Sequence, residues 1–180
     1  RKLFRAWSCA CARGEESYSL SALWEHWAAQ FIPQEARPVD LKITASEMDA
    51  EALSRARAAE YDASELQGVP PFAAGSFERR GDRVAVQPRV KKRVRFVCEN
   101  VLAPARRPRA DLILCRNFLI FLDRGGRSAM MEVFRRSLVP GGFLVLGRAE
   151  TITESAHSAF VAVDAVHRIY RKVEDGVRLK

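Results

Sequence analysis

Short apolar runs alternate along this chain with longer segments whose apolar residues recur every three or four positions, and no other feature limits the fold as much. The runs Leu3–Ser8, Leu41–Ala45, Val94–Cys98, Asp111–Cys115 and Phe143–Gly147 read as strands. Between them, Leu20, Leu23, Trp24, Trp27 and Phe31 mark a helix from about Glu16 to Gln30. A second helix runs from Asp49 or Ala50 to Glu60 with Asp49 as N-cap, and a third from Arg124 to Leu138, stopped by Pro140-Gly141-Gly142. Strand–helix alternation calls for a doubly wound, mostly parallel sheet. Two final strands, Phe160–Val163 and His167–Arg171, have no helix between them and imply an antiparallel hairpin at one edge. Residues 61–92 interrupt the pattern with Gly68, Pro70, Pro71, Gly75, Gly81 and Pro88. They read as an inserted small β-subdomain with a hairpin about Gly81-Asp82, dividing a main domain of residues 1–60 and 93–180.

At 180 residues, 48% hydrophobic and 29% charged, the chain has the make-up of one globular domain. No apolar run approaches the roughly 18 residues a spanning helix requires, which excludes a helical transmembrane segment. The chain starts at Arg1 and lacks a signal-peptide layout, so a fragment is expected, without its upstream residues. Cys9, Cys11, Cys98 and Cys115 lack the spacing of a zinc site, and no metal is expected. They read as small packing residues, which suits a reducing, cytoplasmic setting.

In such sheets ligands sit beyond the carboxyl ends of the strands, where strand order reverses. The loop Cys9–Glu16 holds one glycine, Gly14, and neither a dinucleotide fingerprint nor a Walker lysine, which argues against a nucleoside triphosphate. Glu47, after the second strand, stands where a carboxylate can accept from two ribose hydroxyls, and Asn100, after the third, offers an amide to an adenine edge. Together they point to a nucleoside-bearing cofactor with little negative charge, a description that fits S-adenosylmethionine.

Four ordered segments carry a family resemblance. Trp7-Ser8, Gly14-Glu15-Glu16 and Tyr18-Ser19 resemble the first motif of CheR-type chemoreceptor glutamate methyltransferases. Ala45-Ser46-Glu47-Met48-Asp49, Leu114-Cys115-Arg116-Asn117 with Phe121-Leu122-Asp123, and Pro140-Gly141-Gly142 with Gly147 and Glu150 are similar to their later motifs. The resemblance implies a Rossmann-like class I methyltransferase sheet with an antiparallel terminal strand. It implies S-adenosylmethionine contacts at Ala10, Glu16, Glu47, Asn100, Val101, Arg116 and Asn117: Glu16 at the amino-acid moiety, Glu47 at the ribose, Asn100 and Val101 at the adenine. Arg116 and Asn117 would line the reactive side, and Phe121 replaces the family tyrosine there. Arg13 takes the place of the family threonine and could intrude on the methionine end of the cofactor. The family's N-terminal helical domain is expected to be absent.

The net charge of +8 is concentrated in residues 76–96, which hold Arg79, Arg80, Arg83, Arg89, Lys91, Lys92, Arg93 and Arg95 against Glu78 and Asp82. The resemblance places a receptor-contacting subdomain here, so Arg79, Arg80 and Arg83 are candidate contacts to an acidic helical chemoreceptor-like protein. A solvated basic face in an arginine-rich chain is the alternative, since 24 Arg stand against 6 Lys. Nucleic acid is not expected, because aromatic residues only flank the stretch, at Phe77 and Phe96. Oligomeric state is left open. The function implied is methylation of receptor glutamates; a catalytically impaired binding module and a small-molecule methyltransferase remain alternatives.

Overall fold

The computed structural model describes residues 3–31, 39–66, 69–103 and 109–173. Its elements, in chain order, are β1 Leu3–Cys9, α1 Glu15–Phe31, β2 Asp40–Glu47, α2 Ala50–Ala58, β3 Glu60–Asp62, α3 Pro71–Ala74, β4 Phe77–Arg80, β5 Arg83–Val86, α4 Pro88–Lys91, β6 Val94–Cys98, β7 Ala110–Cys115, α5 Arg124–Ser137, β8 Leu138–Leu146, β9 Phe160–Asp164 and β10 Ile169–Lys172. Gly68, one of the insertion signals, lies outside the described residues.

The main sheet has seven strands in the order β6-β2-β1-β7-β8-β10-β9. The first five are parallel, and β10 lies antiparallel between β8 and β9. Strand order reverses between β1 and β7, so the crevice at their carboxyl ends is the switch point. A three-stranded antiparallel sheet, β3-β5-β4, stands beside it. It packs through Tyr61, Val84 and Val86 on Tyr18 of α1.

Helices α1 and α2 cover one face of the main sheet. Leu20 and Trp24 meet Ala6, Leu41 and Ile43, while Leu53 meets Cys11 and Ala45. On the other face Met130, Met131 and Phe134 of α5 bury against Trp7, Ile113 and Leu144. Trp7 and Phe134 meet edge to face, with ring centroids 6.0 Å apart.

Several expectations need correction. The second helix stops at Ala58, where Ala59 adopts a left-handed C-cap (φ 56°), and Glu60 belongs to β3. Asp49 does cap it, its carboxylate accepting from the Glu51 and Ala52 N–H groups. Helix α5 ends at Ser137, because Leu138 already pairs with Ala110. Pro140-Gly141-Gly142 lies within β8 rather than before it. The register jumps from Ala110–Leu138 to Leu112–Phe143, and Gly141 (φ 74°) turns the displaced residues back. On α1 the fully buried positions are Ser17, Tyr18, Ser21 and Ala22, whereas Leu23, Trp27 and Phe31 of the apolar stripe are exposed. Trp24, Trp27 and Phe31 instead form an aromatic ladder along the helix, with Phe4 stacked on Trp24.

Candidate functional site

The carboxyl ends of β1, β2, β6, β7 and β8 carry almost every residue singled out above. After β1 the chain makes a tight loop in which Ala10 (φ 53°) and Ala12 (φ 46°) are left-handed without being glycine. Such positions cost of order 1 kcal/mol or more and gather at functional sites. The loop is held from outside: the Cys11 N–H donates to the Ser46 carbonyl at 2.9 Å, and the Tyr61 hydroxyl to the Arg13 carbonyl at 2.8 Å. Gly14 (φ 86°) lies so close to Phe96 that a Cβ would stand 2.9 Å from its ring. Arg13 is paired with Glu15 at 2.9 Å and Glu65 at 3.3 Å, which holds it away from the crevice, so the expected intrusion is not made.

Glu16, in the first turn of α1, lies at the edge of the crevice. Its Oε1 is buried and receives no hydrogen bond. Burial pushes its carboxyl up to about 7, with Arg116 pulling down and Glu150 pushing up. A buried carboxylate oxygen without a donor is suited to a cationic ligand group.

Glu47 ends β2. Its Oε2 accepts the Ala12 N–H at 3.0 Å, and its Oε1 accepts the N–H groups of Met48 (2.7 Å) and Asp49 (3.0 Å). It thus ties the first loop to the second and keeps capacity for one further donor. After β6, the Asn100 Oδ1 accepts the Leu102 N–H at 2.9 Å, shaping the turn, while Val101 is buried. Cys98, expected to be a packing residue, is exposed here, its thiol 3.7 Å from the Met48 carbonyl. The other three cysteines are buried as expected. Burial pushes the Cys11 thiol up to about 12, and a hydrogen bond with the Cys9 thiol, together with burial, holds that of Cys115 well above its ordinary value.

After β7, Arg116 and Asn117 are exposed at the switch point, and Asn117 is left-handed (φ 59°). Sequence reasoning matched Glu150 to a motif but assigned it no role. It is 3% exposed, and its carboxylate collects four backbone donors. Oε2 accepts from Asn117 (2.9 Å) and Gly147 (2.7 Å), and Oε1 from Phe118 (2.8 Å) and Leu119 (2.7 Å). One side chain therefore joins the loops after β7 and β8. Gly147 fits under that knot only because it lacks a Cβ, which would lie 2.7 Å from both Asn117 Oδ1 and Glu150 Oε2. A buried acid three residues after a glycine was the available signal, but sequence alone does not say what such an acid binds.

Phe121 lies in a short turn after Arg116 and is 79% exposed, beside the half-exposed Ile120. Arg79, Arg80 and Arg83 lie apart from this crevice, on the β4–β5 hairpin. Arg80 pairs with Glu78 at 3.0 Å, Arg83 reaches Glu60 and Asp62 at 3.9 Å, and Arg79 donates to the Gly81 carbonyl. The fold therefore brings Ala10, Glu16, Glu47, Asn100, Val101, Arg116, Asn117 and Phe121 to one end of the sheet, and leaves the three hairpin arginines outside it.

A family profile described as "CheR methyltransferase, SAM binding domain" matches residues 1–169. A chemotaxis protein methyltransferase of Listeria monocytogenes is 31% identical over 87% of this chain and 57% of its own length. Chemotaxis protein methyltransferase 1 of Pseudomonas aeruginosa is 32% identical over 82% of this chain and 55% of its own. The chain thus spans little more than half the length of these relatives. The glycopeptide N-methyltransferase MtfA, crystallised with S-adenosylmethionine, superposes with a TM-score of 0.50 at 17% identity, covering 94% of this chain and 60% of that one. That likeness concerns the fold.

Proposed function

The chain belongs to the CheR methyltransferase family, as its S-adenosylmethionine-binding domain, and from that premise we propose that it serves methyl transfer to glutamate side chains of an acidic, helical, chemoreceptor-like protein in the bacterial cytoplasm. One observation carries the placement of the cofactor: the buried Glu16 oxygen that lacks a donor, at the mouth of the switch-point crevice. An ammonium group is the partner it suits, and the amino-acid end of S-adenosylmethionine bears one. In this reading Ala10 lets the backbone approach that end. Glu47 takes a ribose hydroxyl with its remaining lone pair, and Asn100 and Val101 bound the adenine.

When bound, S-adenosylmethionine supplies an electrophilic methyl group on a sulfonium. The protein has little acid–base work to do, because a glutamate carboxylate is already ionised at neutral pH and needs no general base. Its contribution is alignment and exclusion of water. Arg116 stands where it can hold the accepting carboxylate, and Asn117 fixes the loop that presents it. Phe121 shields that side with a ring and offers no hydroxyl, so orientation of the substrate rests on Arg116. The inserted residues 61–92 present Arg79, Arg80 and Arg83 to the receptor-like partner.

Calorimetry with S-adenosylhomocysteine tests the cofactor assignment, with binding in the micromolar range expected; no heat at millimolar ligand overturns it. The same ligand should protect the exposed Cys98 thiol from alkylation, since it lies between Glu47 and Asn100. Methyl transfer to a glutamate-rich helical peptide, run beside a Phe121→Tyr variant, tests the reaction. Binding without transfer in either protein favours a binding module, and transfer to metabolites alone a small-molecule enzyme.

A further inference from the structure

The main sheet is covered unevenly. Purely parallel strands are almost always buried on both faces, since their exposed backbone and side chains need helices above and below. Over β1, β2 and β6, helices α1 and α2 cover the face formed by Ala6, Leu41, Ile43, Ala45, Val94 and Phe96. On the opposite face α5 reaches only as far as Trp7, through Phe134. Beyond Trp7, among the described residues, no helix crosses β2 or β6.

That open area is basic. Arg5 neighbours Lys42 in the β1–β2 register, and Thr44 neighbours Arg95 in the β2–β6 register. The three cations therefore project from adjacent strands onto one face, and all are exposed. With exposed Arg109 they line a depression of about 310 Å³, floored by Trp7, Thr44 and Val97. The carboxylates beside it are Glu99 on the rim, Asp40 two residues before Lys42 on β2, and Asp111, whose Oδ2 accepts the Arg5 backbone N–H. Like charges on neighbouring strands repel and cost stability. A sheet that gathers them over an apolar floor, where a helix ordinarily packs, is complementary to a helix carrying the opposite charge.

We infer that this face is a docking surface for an acidic amphipathic helix of a protein partner. Apolar side chains of the helix enter the depression over Val97 and the Thr44 methyl, above the buried Trp7, and its carboxylates meet Arg5, Lys42, Arg95 and Arg109. The surface is separate from the β4–β5 hairpin, whose sheet packs on α1 across the main sheet. It is also separate from the crevice at the strand ends. A nucleic acid fits it poorly, because the Trp7 ring is 5% exposed and offers no stacking platform.

The probe is a helix-forming peptide of Glu and Leu at helical spacing, titrated into ¹⁵N-labelled protein. Its controls are a Lys-for-Glu twin and a single-stranded oligonucleotide. The Glu/Leu peptide should bind, moving the resonances of β2, β6 and the Trp7 indole N–H. Its affinity should fall about tenfold or more between roughly 50 mM and 500 mM salt. Lys42→Glu with Arg95→Glu should weaken it by a comparable factor while leaving S-adenosylhomocysteine affinity unchanged, and Arg79→Glu with Arg80→Glu should not. In the free protein, Lys42→Thr should raise the unfolding midpoint at low salt only, because it relieves the cross-strand repulsion. The inference is overturned if the Lys twin or the oligonucleotide binds as well as the acidic peptide. It also fails if the Lys42/Arg95 pair leaves affinity unchanged, or if the protein self-associates through this face and excludes the peptide.

Discussion

Glu16 is the residue whose environment most affects what the protein can bind. Burial raises its carboxyl from 4.5 to about 7. Between those values the folded state holds a proton that the unfolded chain has released, so stability falls as pH rises through this window. The cost of ionisation is about 3 kcal/mol. Urea unfolding of the free protein should therefore show a decline from pH 5 to pH 8 that Glu16→Gln flattens. An ammonium ligand would restore the ionised form. S-adenosylhomocysteine binding near pH 6.5 should then release a fraction of a proton, visible as a heat that depends on the buffer, and this release should vanish in Glu16→Gln. Glu150 acts by a different route, since its four backbone donors tie two loops together. In Glu150→Gln an NH₂ group replaces one acceptor oxygen and faces two N–H groups, which costs about 3 kcal/mol. The unfolding midpoint should fall by roughly 6–12 °C, and cofactor affinity should fall with it. Both glutamates stood in recognisable motifs. The crevice position of Glu16 was legible there. The partners of Glu150 were not, because three of the four come from a loop about thirty residues away and all are backbone groups that any sequence could supply.

At the scale of elements, the strands were the most legible features. A buried parallel strand is a continuous apolar run, and the run Asp111–Cys115 falls within β7, with Ile113 and Cys115 fully buried. Helix α1 was legible as a helix but not in its orientation. Its aromatic stripe signals a core face, yet Ser17, Tyr18, Ser21 and Ala22 are the buried positions. Small residues there let Tyr18 reach Phe96 and the inserted sheet, an approach bulky side chains would block. The bend in β8 was hidden for a related reason, since Pro-Gly-Gly usually ends an element and only pairing with β7 keeps the strand continuous. The β4–β5 hairpin follows its turn residues, with Gly81 at φ 69°. Its arginines are partly balanced by Glu60, Asp62 and Glu78, and exposed pairs of this kind contribute little to stability. Charge reversal of Arg79, Arg80 and Arg83 should therefore leave the unfolding midpoint and S-adenosylhomocysteine affinity nearly unchanged. Affinity for an intact receptor-like partner, unlike that for the isolated Glu/Leu helix, should fall by tenfold or more in a pull-down titration. A fall in cofactor affinity as well would mean that the hairpin is coupled to the crevice.

For the whole molecule, five parallel strands meet an antiparallel pair, with strand order reversing between β1 and β7. No helix among the described residues is long and apolar enough to cross a membrane. A cofactor bound at the strand ends would join loops from β1, β2, β6 and β7, so its binding should stabilise the whole fold. At about 100 times its dissociation constant, S-adenosylhomocysteine should add about 2.7 kcal/mol. Thermal unfolding should then rise by roughly 5–10 °C for a domain of this size. The rise should be lost in Glu16→Ala, whose free-state midpoint is the reference. Among the described residues, Arg79, Arg80 and Arg83 lie on the hairpin, and Arg5, Lys42, Arg95 and Arg109 lie on the open sheet face.

The sequence by itself determined the α/β architecture, the order of strands and helices, and the clustering of Glu16, Glu47, Asn100 and Arg116 at one end of the sheet. Apolar periodicity is a local property, and a parallel sheet sends every strand end to the same side. Only the tertiary structure decided which loops Glu150 joins, which face of α1 is buried, and that Arg5, Lys42 and Arg95 share a face that no described helix covers. Those outcomes depend on strand register and on which elements pack against which, quantities that no short stretch of chain contains.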